Sequence, residues 1–186
     1  MAKQKRNVVL HGTSGMIGGM LVFRQTATGT VIQSPPRVSG KVSELQRAQR
    51  RRFQHAVLYA GAAVSDPETG PVYAAKSGEG RTPRIVAIAD YLRAPDIERV
   101  DVSGYHGQPG DVIRIEATDD VMVKEVKVVI TRVDGVPVEE GFAVPEATGY
   151  EWTYTAVTVN DSLAGDRIEV YASDLPGNIT KAEEIL

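Results

Sequence analysis

The chain contains no cysteine among its 186 residues. That excludes disulfides, thiolate nucleophiles and thiolate metal sites, and it leaves the redox compartment open. Histidine is nearly as scarce, with His11, His55 and His106 set far apart. A catalytic triad or a zinc site would need them to converge with carboxylates, and no spacing argues that they do. No run of about 18 apolar residues is present to cross a bilayer as a helix. Residues 1–6 are cationic like the start of a secretion signal, but His11, Gly12, Thr13, Ser14 and Gly15 break the chain before an apolar stretch develops. The expectation is synthesis in the cytoplasm without a signal peptide, with release into a virion or an extracellular assembly by another route left open.

Charge is present but unevenly placed. Residues 1–90 hold 13 Lys and Arg against 5 Asp and Glu, a balance of +8, while residues 91–186 hold 8 against 19, a balance of −11. Such a split fits either a polyanion partner for the basic half or attraction between unlike halves of neighbouring copies.

Residues 1–36 read as short strands punctuated by glycine. "NVVLHG" and "MLVFRQ" are apolar runs, and "TATG" before "TVIQS" marks a hairpin in which Gly29 supplies a positive φ. Pro35 and Pro36 end that section. Ser43 and Gln46 then have the spacing of a capping box opening a helix over residues 44–64. Leu45, Ala48, Phe53, Ala56, Val57, Ala60, Ala63 and Val64 form one apolar stripe, expected to pack on the helix's own domain. Arg47, Arg51 and His55 lie on another face, flanked by Arg50 and Arg52. Pro67 and Gly70 close the helix, and Thr82 with Pro83 opens a second, "PRIVAIADYLR". From Ile97 the period becomes two, as in Ile113, Ile115 and Ala117 or Tyr150, Trp152 and Tyr154. Asp134-Gly135 signals a hairpin, and about seven strands are expected in this half, with Trp152 as a core aromatic. The fold class is therefore an α+β N-terminal domain, residues 1–95, followed by an all-β sandwich, residues 96–186.

"RIEATDDVMVKEVKVVI", "GYEWTYTA" and "DRIEVYASDLPGNITKAEEIL" resemble bacterial immunoglobulin-like modules, in which an Ala-x-Asp-x-x-Gly-Asn turn joins the last two strands. The resemblance covers residues 96–186 and implies an immunoglobulin-like sandwich. "VFRQTATGTVIQSPPRVSGKVSELQRAQRRRFQHAVLYA" is similar to a family of uncharacterised bacterial and phage-associated proteins with a glycine-rich hairpin before a Ser-x-x-Gln basic helix. That likeness implies two domains and no reaction.

No motif carries a reaction. "HGTSGMIGG" lacks the ending of a phosphate-binding Walker loop and the spacing of a dinucleotide fingerprint, so its glycines read as turns. Asp119, Asp120 and Asp174 either meet at one end of the sandwich, where they would bind Ca²⁺ through oxygen, or serve as turn aspartates bonded to their own backbone. No catalytic residue, cofactor or metal is assigned. Arg47, Arg50, Arg51 and Arg52 are the candidate contacts, for carboxylates of another copy or for a polyanion. The helix has no aromatic on its basic face to stack bases, and no DNA-binding frame surrounds it. The sequence therefore points to a non-enzymatic protein that self-assembles, with nucleic-acid binding through the basic helix as the alternative.

Overall fold

The computed structural model describes residues 2–4, 10, 12–26, 29–36, 40 and 42–186. The chain divides into two compact units, residues 1–49 and 50–186, whereas the sequence reading places its boundary at 95/96. No described helix is long and apolar enough to cross a membrane.

In the first unit, β1 (Ala2–Gln4), β2 (Gly15–Ile17), β3 (Leu21–Thr26) and β4 (Gly29–Gln33) form an antiparallel sheet in the order β1-β4-β3-β2. Thr26 pairs with Gly29 across the β3–β4 turn, and Gly29 holds φ +123°, a value that only glycine adopts without strain. The segment read as merely cationic supplies β1. It becomes a strand because the free edge of β4 offers backbone partners from Thr30 to Ile32. The strand expected at "NVVLHG" falls largely outside the described residues. Phe23, Thr30 and Val31 are buried in this sheet, while Met16, Ile17, Met20 and Leu21 are exposed.

Helix α1 (Glu44–Ser65) contains the division between the units. Its capping box forms as the spacing requires, with Gln46 N–H donating to Ser43 Oγ at 3.2 Å and Ser43 N–H to Gln46 Oε1 at 3.1 Å. A helix absent from the sequence reading follows, α2 (Thr69–Ala75). Gly70 and Pro71 look like breakers, but they sit in its first turn, where a proline costs no intrahelical hydrogen bond. The Asp66 carboxylate receives the Glu68 and Thr69 N–H groups there, both at 2.9 Å. Gly70 also lies so close to the end of α1 that a Cβ would stand 2.7 Å from the Val64 carbonyl oxygen. Helix α3 (Pro83–Tyr91) starts as expected, capped by Thr82 with proline at its first position.

The rest is β. Strands β5 (Asp96–Asp101), β6 (Val112–Thr118), β7 (Val123–Thr131), β8 (Pro137–Phe142), β9 (Val144–Pro145), β10 (Glu151–Thr155), β11 (Arg167–Asp174) and β12 (Ile179–Ile185) build two antiparallel sheets. Their orders are β5-β6-β10-β9 and β12-β11-β7-β8. The two-residue β9 adds to the seven strands expected, and its Pro145 is tolerated because β9 is an edge. Ile113 and Ile115 of β6, Trp152 and Tyr154 of β10, Val126, Val128 and Ile130 of β7, and Ile168, Val170 and Ala172 of β11 share one core. The period-two alternation delivers these side chains to one face of each sheet, and each large aliphatic one contributes about 1.5–3 kcal/mol by leaving water. A second cluster joins Ala60, Ala63, Tyr73, Val86 and Ala87 of the helices to Val121 and Leu175, which lie in turns of the sheets. The overall class is thus mixed α+β with antiparallel sheets.

Candidate functional site

Helix α1 presents two surfaces at once. Ala56, Ala60 and Ala63 are buried in its second half, whereas residues 44–55 are exposed throughout. The apolar stripe is therefore spent on the helix's own domain only in its second half, while Leu45, Ala48 and Phe53 in the first half stay exposed, against the sequence reading. Leu45 is 83% and Leu58 73% exposed, and Phe53 is about half exposed. Arg47, Arg50 and Arg51 stand on this surface without an ion-pair partner among the described residues. Arg52 is used within the chain, since its Nη2 donates to the Leu92 carbonyl at 3.0 Å and so caps the C-terminus of α3.

A second constellation lies where α3 ends beside two turns of the sheets. One carboxylate oxygen from each of Asp90, Asp119 and Asp174 lies within 4.8 Å of the others. Asp90 is near the end of α3. Asp119 follows β6, and Asp174 closes β11, where the ladder sets it opposite Val123 at the start of β7. That register is what brings the β6–β7 turn against the β11–β12 turn. Asp90 and Asp174 are fully buried and Asp119 is half-buried.

Each carboxylate is oriented by fixed donors. Tyr73 Oη donates to Asp90 Oδ2 at 2.6 Å, and since its one proton is committed there, Tyr59 Oη donates to Tyr73 at 2.7 Å. Asp119 Oδ2 accepts the Val121 and Met122 N–H groups at 2.8 and 2.9 Å. Asn178 holds both oxygens of Asp174, through its N–H at 2.6 Å and its Nδ2 at 2.7 Å. The same Nδ2 also reaches the Arg93 carbonyl at 2.8 Å. Burial, and then repulsion from Asp119 and Asp174, raises the Asp90 carboxyl to about 7 against the hydrogen bond from Tyr73. Burial also raises the Asp174 carboxyl, against its bonds from Asn178. Tyr73 is pushed up by burial and by its place between Asp90 and Tyr59.

The structure brings together two of the three aspartates singled out in the sequence. Asp120 stands apart, exposed and paired with Arg93 at 2.5 Å, and Asp90 takes the third place. One signal for Asp90 was available. It shares a helical face with Val86 and Ala87, so a carboxylate interrupts an otherwise apolar stripe. His55 and His106 are exposed and join no such cluster, and His11 lies outside the described residues. The glycine-rich stretch forms the β2–β3 hairpin, with Gly18 and Gly19 at positive φ in its turn. A cleft of about 390 Å³ over β5, β6 and β10 is lined by Arg99, Arg114, Glu116 and Glu151 around Trp152. Arg99 there is engaged by Asp101 at 3.1 Å and Glu116 at 3.9 Å. Comparison of the chain with protein-family models and with curated proteins finds no match.

Proposed function

We propose that this chain is a non-enzymatic structural protein that assembles with copies of itself into a filament, tube or virion-type shell. Its N-terminal half makes the contacts, and residues 96–186 form an immunoglobulin-like module that the assembly displays. The observation that carries this reading is apolar surface left in water. Met20 is 74% and Leu45 83% exposed, with Met16, Ile17 and Leu21 beside Met20 in sequence and Phe53 and Leu58 along α1. Large exposed apolar side chains in runs, rather than scattered singly, mark surfaces that another protein covers. Strands β1 and β2 each pair on one side only among the described residues, so they offer open edges to another chain. The module reading is supported by two four-stranded antiparallel sheets that share a core containing Trp152.

The free arginines supply direction. Arg47, Arg50 and Arg51 on one copy face the excess of carboxylates on the next. Exposed ion pairs contribute only about 0.2–1 kcal/mol each, so charge sets register and rate while the apolar contacts supply affinity. The same unpaired arginines also favour a second reading, in which residues 44–64 hold nucleic acid.

Light scattering coupled to size-exclusion chromatography tests both. Assembly predicts species well above the 20.1 kDa of one chain, shifted toward monomer by Leu45→Glu with Phe53→Glu. A single monomeric species at low and high salt, together with duplex DNA binding at about 50 mM salt that weakens steeply as salt rises, replaces this reading with the second.

A further inference from the structure

We infer that Asp90, Asp119 and Asp174 form a site for one hard divalent cation, Ca²⁺ by its chemistry, that clasps the end of α3 to the β6–β7 and β11–β12 turns. Three carboxylates converge with no lysine or arginine paired to any of them among the described residues. A buried charge is costly unless it is paired or coordinated. An independent observation points to a missing partner, because Asp90 is 0% exposed and its Oδ1 is buried with no hydrogen-bond partner. Its other oxygen is fixed by Tyr73, so the side chain cannot turn away to find one.

The surroundings fit a coordinated ion. Every donor at the cluster favours an ionised, oriented carboxylate: the Tyr73 hydroxyl on Asp90, the Val121 and Met122 N–H groups on Asp119, and Asn178 on Asp174. Hydrogen bonds of this kind hold ligating carboxylates in place around metals. The donor set is all oxygen, which selects a hard cation and disfavours zinc or copper. Oxygens on one Ca²⁺, bonded at about 2.4 Å, stand at most about 4.8 Å apart. The three carboxylate oxygens here lie within 4.8 Å of one another, so each pair of them is close enough to share one ion. The remaining positions of its shell belong to water entering past half-buried Asp119. Three ligands with partial access correspond to the weaker end of calcium sites, with Kd of about 0.1–1 mM.

The ion would join parts of the chain that are 84 residues apart in sequence, from Asp90 to Asp174. All three ligands belong to the unit of residues 50–186. Its binding therefore stabilises that unit by mass action, independently of whether copies assemble.

The test is thermal unfolding of the full chain, stripped of metal by chelation. It is followed by circular dichroism in about 5 mM CaCl₂, in about 5 mM MgCl₂, and in KCl of equal ionic strength, with calcium titration by calorimetry. Occupancy at that concentration multiplies the folding equilibrium constant by about 6–50, a Tm rise of a few degrees that saturates. Asp90→Asn and Asp119→Asn should lose that response while Asp120→Asn, which changes a neighbouring aspartate outside the cluster, keeps it. Should Asp90→Asn fail to fold, Asp119→Asn at the half-buried position still decides the matter. A wild-type chain with no calcium response beyond the KCl control overturns the inference and leaves a shared proton as the occupant. So does an undiminished response in Asp119→Asn.

Discussion

In metal-free protein the Asp90 cluster should make stability fall as pH rises, and Asp90→Asn should remove the part of that dependence that Asp90 contributes, leaving the part due to Asp174. The unfolded chain ionises this carboxyl near 3.8, while the folded chain holds it up to about 7. Between those values the native state binds a proton that the unfolded state does not, so each unit of pH lowers stability. The contribution is whole below about pH 4 and gone above about pH 7. A difference of about three units corresponds to about 4 kcal/mol. Asparagine imitates the protonated acid, keeping an oxygen for Tyr73 and offering an amide toward the remaining carboxylates. The imitation is imperfect, so the variant should match wild type near pH 4 and exceed it by about 2–4 kcal/mol near pH 8. Urea unfolding in chelator at several pH values measures this. Trp152, the single tryptophan, is 6% exposed in the shared sheet core and reports on the unit that contains Asp90. A gap between variant and wild type that does not change with pH, or a variant less stable at the alkaline end, refutes the account of Asp90 as a carboxyl held up by burial and by its acidic neighbours.

Charge reversal at Arg47 and Arg51 should slow or misregister assembly at low salt while both units stay folded; wild-type rates and particles would show these arginines to be merely solvated. Gly107→Ala should destabilise by about 2–4 kcal/mol in urea, combining about 1–2 for a left-handed alanine with a lost hydrogen bond. Gly107 sits at φ +82°, a Cβ there would lie 2.3 Å from the Asn160 carbonyl oxygen, and the Asn160 N–H bonds Gly107 O at 2.8 Å. A stability unchanged by that substitution would mean the β5–β6 turn relaxes freely. Residues 97–186 expressed alone should unfold cooperatively with a buried tryptophan emission, since the sheet core is made within them. A fully exposed emission would show that the helices are needed to close it.

The parts of this protein that were legible in its sequence are those set by neighbours a few residues apart. Ser43 and Gln46 define a helix start because a capping box closes over three residues, and Thr82-Pro83 does the same for α3. The alternation around Ile113, Trp152 and Ile168 fixes which side chains turn inward, because strand geometry repeats every two residues. Asp134-Gly135 forms its turn, with Gly135 at φ +86°. Tertiary structure decided the rest. Pro67 and Gly70, read as the close of α1, concealed α2, whose first turn tolerates Gly70 and Pro71 because N–H groups there have no intrahelical partner to lose. The exposure of Leu45 and Phe53 was invisible, since an apolar stripe has the same period whether its cover is its own chain or another. The carboxylate cluster depended on the β7–β11 register and on where α3 comes to rest. Those contacts link residues 29 to 84 apart in sequence, and neither spacing nor composition encodes which aspartate will complete a set when a helix docks beside two turns.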